Sequence, residues 1–327
     1  MKVTIKNQEN QIRQFQSLAF EGLNGGTWAA GDDTTIRAEL ESLQCNIKAW
    51  ARKYAIDDMN SIKEIPANNY EIFLKALGNV VRLRTRKDEL GCLQTSPMNK
   101  KAPTICLQAL LSHRIYANII KEPFFALGKR GRVLQSVYVD MKKANEKEAH
   151  IWRSRTIRLL STPPATRTMG GGGGDNRQQS QDHEFALGLK DASQAVTNYF
   201  FDSPAKHLIR PSAFSPDNFS QTCSDMDSLV QQAALISFKL WSRRTALYLL
   251  GLPDLKDKSF SVVSDFMKAH PLHRLHDDDD KCNGFSVIIV TQPAVIGYGS
   301  SDGRDYSKST ERVWMKAEVL LSETAKI

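Results

Sequence analysis

Apolar residues recur along much of this chain at helical spacing. Ile36, Leu40, Leu43, Ile47, Trp50 and Tyr54 follow one another at alternating steps of four and three, which lines them along one face of a helix about 30 Å long. Asp32, Asp33, Thr34 and Thr35 stand before that stripe as N-cap candidates, with charge that suits the positive end of a helix dipole. A second stripe, Tyr70, Phe73, Leu74, Leu77, Val80 and Val81, runs on toward Gly91. A third helix is predicted over 104–121, stopped by Pro123. The longest helical segment covers 132–160, with Leu134, Tyr138, Met141, Asn145, Glu148 or Ala149, Trp152 and Leu159 on one face. The middle of that face is polar, so the helix either bends there or projects beyond its neighbours. Further helices are predicted over 184–201, over 225–250 (Leu229, Ala233, Ile236, Leu240, Leu247, Leu250) and, briefly, over 262–269.

Near the C-terminus the period changes to two. Residues 285–290 are rich in Val and Ile, and Val313, Met315, Ala317, Val319 and Leu321 alternate with Trp314, Lys316, Glu318 and Leu320. β-Branched residues at period two mark strands, and the Gly-, Ser- and Asp-rich stretch 297–310 joins them. A free hairpin is only marginally stable, so this one must dock on the helices. The predicted fold is mainly α: a multi-helix bundle with a small C-terminal antiparallel β-hairpin, 285–322. No fixed-period repeat of 20–50 residues emerges, which argues against a solenoid.

Two segments interrupt the pattern. Residues 1–32 are polar, with Gly25, Gly26 and Gly31, and read as a flexible N-terminal arm. Residues 162–182 hold Pro163-Pro164, five glycines at 170–174 and almost no apolar side chain. That composition cannot repay the entropy of ordering, so a disordered loop is expected inside a single domain, 33–327.

Charge divides the chain unevenly. Residues 1–162 carry 26 Lys+Arg against 16 Asp+Glu, net +10, while 163–327 carry 18 against 20, net −2. A basic first half attracts anions, or is a solvated face that serves solubility alone. Its candidate polyanion-binding residues are Arg82 and Arg86, then Lys129, Arg130 and Arg132, then Arg153, Arg155 and Arg158, with Tyr138 and Trp152 nearby. Guanidinium beside aromatic rings is what nucleic-acid surfaces use, but no helix-turn-helix, zinc-finger or RNA-binding signature accompanies them. Arg243-Arg244 interrupts an apolar stripe, which places one of them on the core side, in a salt bridge or as a pocket arginine for an anionic ligand.

Other chemistry is sparse. The five cysteines are scattered and never spaced C-x-x-C, which speaks against a disulfide framework or an ordinary zinc site. His273, His276, Asp277 and Asp280 lie at helical spacings that suit zinc or manganese, although Pro271 and four adjacent aspartates also fit a mobile acidic loop. Gly299-Ser300-Ser301-Asp302-Gly303 matches G-x-S-x-G, but a strand follows it where a hydrolase needs a helix, and no histidine lies beyond His276. A hairpin turn fits better. No catalytic residue, resident metal or cofactor is assigned. The most apolar stretch, 286–296, is too short to span a bilayer, so no membrane partner is expected, and the location read from sequence is cytoplasmic or nuclear.

Three segments carry a likeness: Ala49-Trp50-Ala51-Arg52-Lys53-Tyr54-Ala55, Ile151-Trp152-Arg153-Ser154 with Leu159-Leu160-Ser161, and Ser301-Asp302-Gly303-Arg304-Asp305-Tyr306 with Val313-Trp314-Met315-Lys316-Ala317-Glu318-Val319. Over most of 34–322 the chain resembles mostly helical proteins of filamentous fungi. The resemblance implies a helical fold and supplies no activity or functional residue. From the residues themselves, the expected function is contact with a protein partner, without catalysis. Binding of nucleic acid or another polyanion through the basic half comes second, and an enzyme of unassigned class third.

Overall fold

A computed structural model describes residues 33–83, 100–160, 176–275, 279–300 and 305–325. The first stripe forms α1, Asp33–Tyr54, and its six apolar residues are all buried. α2, Ala67–Leu77, buries Phe73, Leu74 and Leu77. α3, Ala102–Ile115, is buried almost all round, with Ile105, Cys106, Leu107, Ala109 and Leu111 inside. It is the central helix, with α1 on one side. A single π-helical turn, Tyr116–Ile120, follows. Its loosened carbonyls find donors on a later helix: Ser237 Oγ donates to Ile119 O at 2.8 Å and Trp241 Nε1 to Ile120 O at 2.7 Å.

The long predicted helix 132–160 is two helices, α4, Gly128–Ala144, and α5, Glu146–Leu160. Asn145 separates them with extended backbone, φ −155° and ψ 100°. The polar middle of the stripe marks that break. α6, Asn176–Asp202, packs along α7, Pro216–Trp241, and α7 also packs on α1. α6 begins inside the segment expected to be disordered: 176–182 is helical, while 161–175 lies outside the described residues, as does the arm 1–32. From Asp32 onward the chain forms one compact unit.

The predicted helix over 225–250 ends early. α7 stops at Trp241, and Ala246–Leu250 is strand β1. The short helix expected over 262–269 is also corrected: Met267–Ala269 is strand β2. A four-residue helix, α8, Leu252–Leu255, lies between them. The C-terminal strands are β3, Phe285–Gln292, β4, Ala294–Tyr298, β5, Arg312–Met315, and β6, Ala317–Ala325. β3 pairs antiparallel with β6, Val290 opposite Val319, and β4 pairs antiparallel with β5, Gly297 opposite Arg312. This is the expected hairpin, divided at Pro293 and Lys316 between two sheets. β1 adds to β4 antiparallel and β2 adds to β6 parallel, giving orders β1-β4-β5 and β2-β6-β3. The pairing explains both corrections. Tyr248 and Leu249 find partners in Ile296 and Val295, and a ladder to a distant strand overrides local helical spacing.

The strands docked on the bundle bury their own apolar cluster, including Phe260, Met267, Val287, Val290, Ile296, Val319 and Leu321. β3 also lies against α3, and its edge takes bonds from the chain after α2, Arg82 N to Ile288 O at 2.7 Å and Val290 N to Val80 O at 3.0 Å. The fold is thus mainly α with C-terminal strands. Among the described residues, no helix is long and apolar enough to cross a membrane.

Candidate functional site

A buried polar constellation sits where α4, α5 and the turn 242–245 meet the β4–β5 connection. At its centre is Arg153, fully buried. Its Nη2 donates to Arg243 O at 2.5 Å and Thr245 O at 2.8 Å, and Nη1 donates to Tyr138 Oη at 3.1 Å. Its guanidinium lies over the rings of Trp241, at 4.8 Å, and Tyr138, at 5.6 Å. Arg158, two turns of sequence register away from the start of α5's buried face, adds Nε to Ser242 O at 3.0 Å and Nη2 to Ser154 Oγ at 2.6 Å. Two arginines of α5 therefore hold the carbonyls just past the C-terminal end of α7, where cations meet the negative end of the helix dipole. These bonds, together with the pairing of β1 on β4, hold the chain out of helix beyond Trp241.

A hydrogen-bonded chain leads outward from Arg153. Tyr138 Oη meets His150 Nδ1 at 2.6 Å. With Nδ1 accepting that hydroxyl, the proton sits on Nε2, which faces Glu146 Oε1 at 3.3 Å. Glu146 Oε1 also accepts Tyr298 Oη–H at 3.1 Å. Tyr306 closes the assembly. Its ring lies on His150 with centroids 4.7 Å apart, and its hydroxyl donates to Arg244 O at 2.9 Å. Gly299 makes room for it: φ is +100°, and a Cβ there would stand 2.6 Å from the Tyr306 ring.

Tyr138, His150 and Glu146 are ordered as hydroxyl, imidazole and carboxylate, the order of a nucleophilic triad. Their electrostatics differ from those of a triad. Burial, then Arg153 and Lys142, push His150 down to about 3. Burial raises Tyr138, against the opposing pull of Arg153. Both shifts favour the neutral form at neutral pH, where a general base needs a pKa near 7. Tyr138 and His150 form a neutral hydrogen-bonded pair that links the helices to the sheet between the Arg153 guanidinium and the Glu146 carboxylate.

A second buried pair lies at the other sheet. His270 Nε2 faces Glu318 Oε1 at 3.7 Å, and Thr291 Oγ1 donates to the same carboxylate oxygen at 2.9 Å. His270 Nδ1 accepts Leu272 N–H, and burial pushes the ring down to about 4.

The expected site residues separate. Lys129, Arg130 and Arg132 are exposed at the start of α4, and Arg155 is exposed on α5. Arg158 is half-buried. Arg153 is corrected from a surface polyanion residue to an interior one, because its donors serve the turn 242–245. Arg82 lies apart, Nη1 donating to Lys256 O at 2.8 Å, and Arg86 is outside the described residues. Arg243 makes the core-side salt bridge, Nη1 to Asp33 Oδ1 at 2.8 Å. Of the metal candidates, His273 lends Nε2 to Leu321 N–H at 3.0 Å, and Asp280 carries a backbone turn bond to Asn283. His276 and Asp277 are outside the described residues, as is Ser301 of the G-x-S-x-G match. Among the described residues, no group of three His, Cys, Asp or Glu side chains is placed to hold a metal.

His150, Tyr298 and Tyr306 escaped the sequence reading. Their one local signal was Glu146 and His150 at i, i+4 in the polar middle of an otherwise apolar stripe; the tyrosines arrive from the β4–β5 connection, which no local pattern joins to α5. Comparison with known proteins finds no match to a family model, a curated protein or a solved structure.

Proposed function

We propose that this protein acts by binding an acidic protein partner, and that the α4–α5 pair carries the contact surface. The observation that carries the reading is Val133 and Val137, one turn apart on α4 and 67% and 43% exposed, flanked by exposed Lys129, Arg130 and Arg132. Residues 128–160 hold nine Lys+Arg against three Asp+Glu. Basic groups around an apolar ridge fit a partner with acidic residues around an apolar one, since charge steers the encounter and the ridge supplies affinity. The four described cysteines are free thiols, which suits a reducing cytoplasm or nucleus.

Binding of nucleic acid is the second reading, supported by the same net charge. Two observations put it behind. Tyr138 is buried in its pair with His150, so it offers no stacking platform, and aliphatic valines add nothing to phosphate contacts. The test compares an acidic amphipathic helical peptide with a single-stranded RNA and a DNA duplex at low and moderate salt. The peptide should bind more tightly, and Val133→Asp should weaken it about tenfold or more, as loss of an apolar anchor does. Tighter nucleic-acid binding that Val133→Asp leaves unchanged would replace the first reading with the second.

A further inference from the structure

We propose that residues 267–275 form an acid-released strap along the edge of β6, held shut by His270 and His273 acting as hydrogen-bond acceptors. β2 is an edge strand of its sheet and pairs with β6 from Met267 opposite Ala317 to Ala269 opposite Val319. A ladder that short leaves the strap dependent on the bonds around it. In front of it, Ala317 N donates to Phe266 O at 2.8 Å. Behind it, His270 N donates to Val319 O at 2.8 Å. The next rung is a side chain: His273 Nε2 accepts Leu321 N–H at 3.0 Å. His270 Nδ1 accepts Leu272 N–H at 3.2 Å and so shapes the turn Pro271–His273 that brings His273 to β6. Arg274 leaves that turn in the left-handed region, at φ +51°, which a residue with a Cβ holds only when its surroundings fix it.

Both acceptors are imidazole nitrogens, and this makes the closure sensitive to protons. A neutral imidazole accepts through its unprotonated nitrogen, whereas an imidazolium has two donors and no acceptor. The added proton would arrive at Nδ1 of His270 and at Nε2 of His273, in each case against a backbone N–H. A peptide carbonyl, the usual acceptor at such places, has no proton to gain in this range.

The charges around the two rings oppose protonation while the strap is shut. Burial is the main influence on His270 and lowers its pKa. Glu318 Oε1 of β6, 3.7 Å from Nε2, acts the other way, and Lys48 of α1, His273 and Lys101 just before α3 add to the lowering. Burial lowers His273 as well, and its neighbour Arg274 is exposed. Once the strap lifts, both rings return toward the ordinary value of 6.5. Closure is therefore complete above that pH and weakens below it, because the open form binds the extra protons. The contact at the other end of the strap, Lys316 Nζ to Ser264 O at 2.7 Å, involves no imidazole, so the 270–275 end lifts first. Lifting frees Val319 O and Leu321 N–H, a short length of strand edge able to pair with another chain.

Hydrogen–deuterium exchange of the full chain tests the proposal, read residue by residue by NMR and corrected for the intrinsic pH dependence of amide exchange. Each histidine supplies up to about tenfold per pH unit, so protection of the Leu272 and Leu321 amides should fall about tenfold or more from pH 7 to pH 5. At pH 5 both amides should exchange about tenfold or more faster than Leu107 and Leu111 of the central helix α3, as local opening does. His270→Asn and His273→Gln put an amide oxygen where each accepting nitrogen stands, so the double variant keeps both bonds without the titration. Its protection at Leu272 and Leu321 should stay level between pH 7 and pH 5. Protection at these two amides that does not fall with pH in the unsubstituted chain overturns the proposal, and so does exchange no faster than that of α3. A folded double variant that retains the whole fall also overturns it. If the double variant does not fold, the two readings on the unsubstituted chain decide alone.

Discussion

A guanidinium keeps its proton in the interior, so Arg153 brings a full charge into the fold. Its stabilising partners are the carbonyls of Arg243 and Thr245, the Tyr138 hydroxyl and two aromatic rings. Arg153→Ala strands those acceptors and opens a cavity together, and should cost about 3–5 kcal/mol in denaturant unfolding. A loss below about 1 kcal/mol would show that the turn 242–245 closes without it. The two buried histidines predict a pH dependence. His150 and His270 titrate near 3 and 4 in the folded protein, against 6.5 ordinarily. Between those limits the unfolded chain binds more protons than the folded one. Stability should therefore fall as pH drops from 6.5 toward 4, by up to about 1.4 kcal/mol per pH unit for each histidine. His150→Gln should flatten the slope of melting midpoint against pH, and an unchanged slope would mean that His150 is protonated in the fold. In the stripe of α1, Leu43 is completely buried, and Leu43→Ala should cost about 2–5 kcal/mol. A change within about half a kcal/mol would place that face in solvent.

Elements differ in how much of their fate is local. α1 was legible because six apolar residues at steps of four and three admit one solution and Asp57-Asp58 marks its end. The strands β3 and β6 were legible from period two. α4 and α5 were read as one helix because Asn145 is a weak helix breaker, and only the polar run around it hinted at the turn. β1 was unreadable: Leu247 and Leu250 continue the helical spacing of α7, and the choice of strand rests on β4 and on two arginines from α5. The site was legible in residue type and not in arrangement. Arg153, Arg155 and Arg158 drew notice as charge, but which of them is interior depends on the turn 242–245. Helix placement also gives a test. Gly131 of α4 lies so close to Phe124 that a Cβ would stand 2.1 Å from Phe124 O. Gly131→Ala should cost about 2 kcal/mol or more, despite alanine's better helix propensity. A stabilised variant would show that α4 moves freely away from Phe124.

For the molecule as a whole, the C-terminal strands complete the core. β3 covers α3, β6 joins β2 to β3, and Trp314 and Met315 of β5 are buried against the helices' side of the fold. Ending the chain after Lys281 removes all four of these strands from β3 to β6 and uncovers α3. Such a protein should aggregate or lose cooperative unfolding. A monomer with an unchanged midpoint would show that the helices fold without the strands.

That dependence has a consequence during synthesis. α3 ends at Ile115 and β3 at Gln292, so at translation rates of about 5–20 residues per second the central helix leaves the ribosome about 10–35 s ahead of the strand that covers it. For that interval the nascent chain carries an apolar helix with no permanent neighbour on one side. Slower translation should lengthen that interval, and a chaperone that binds apolar helices would act on this chain before its folded stability comes into play.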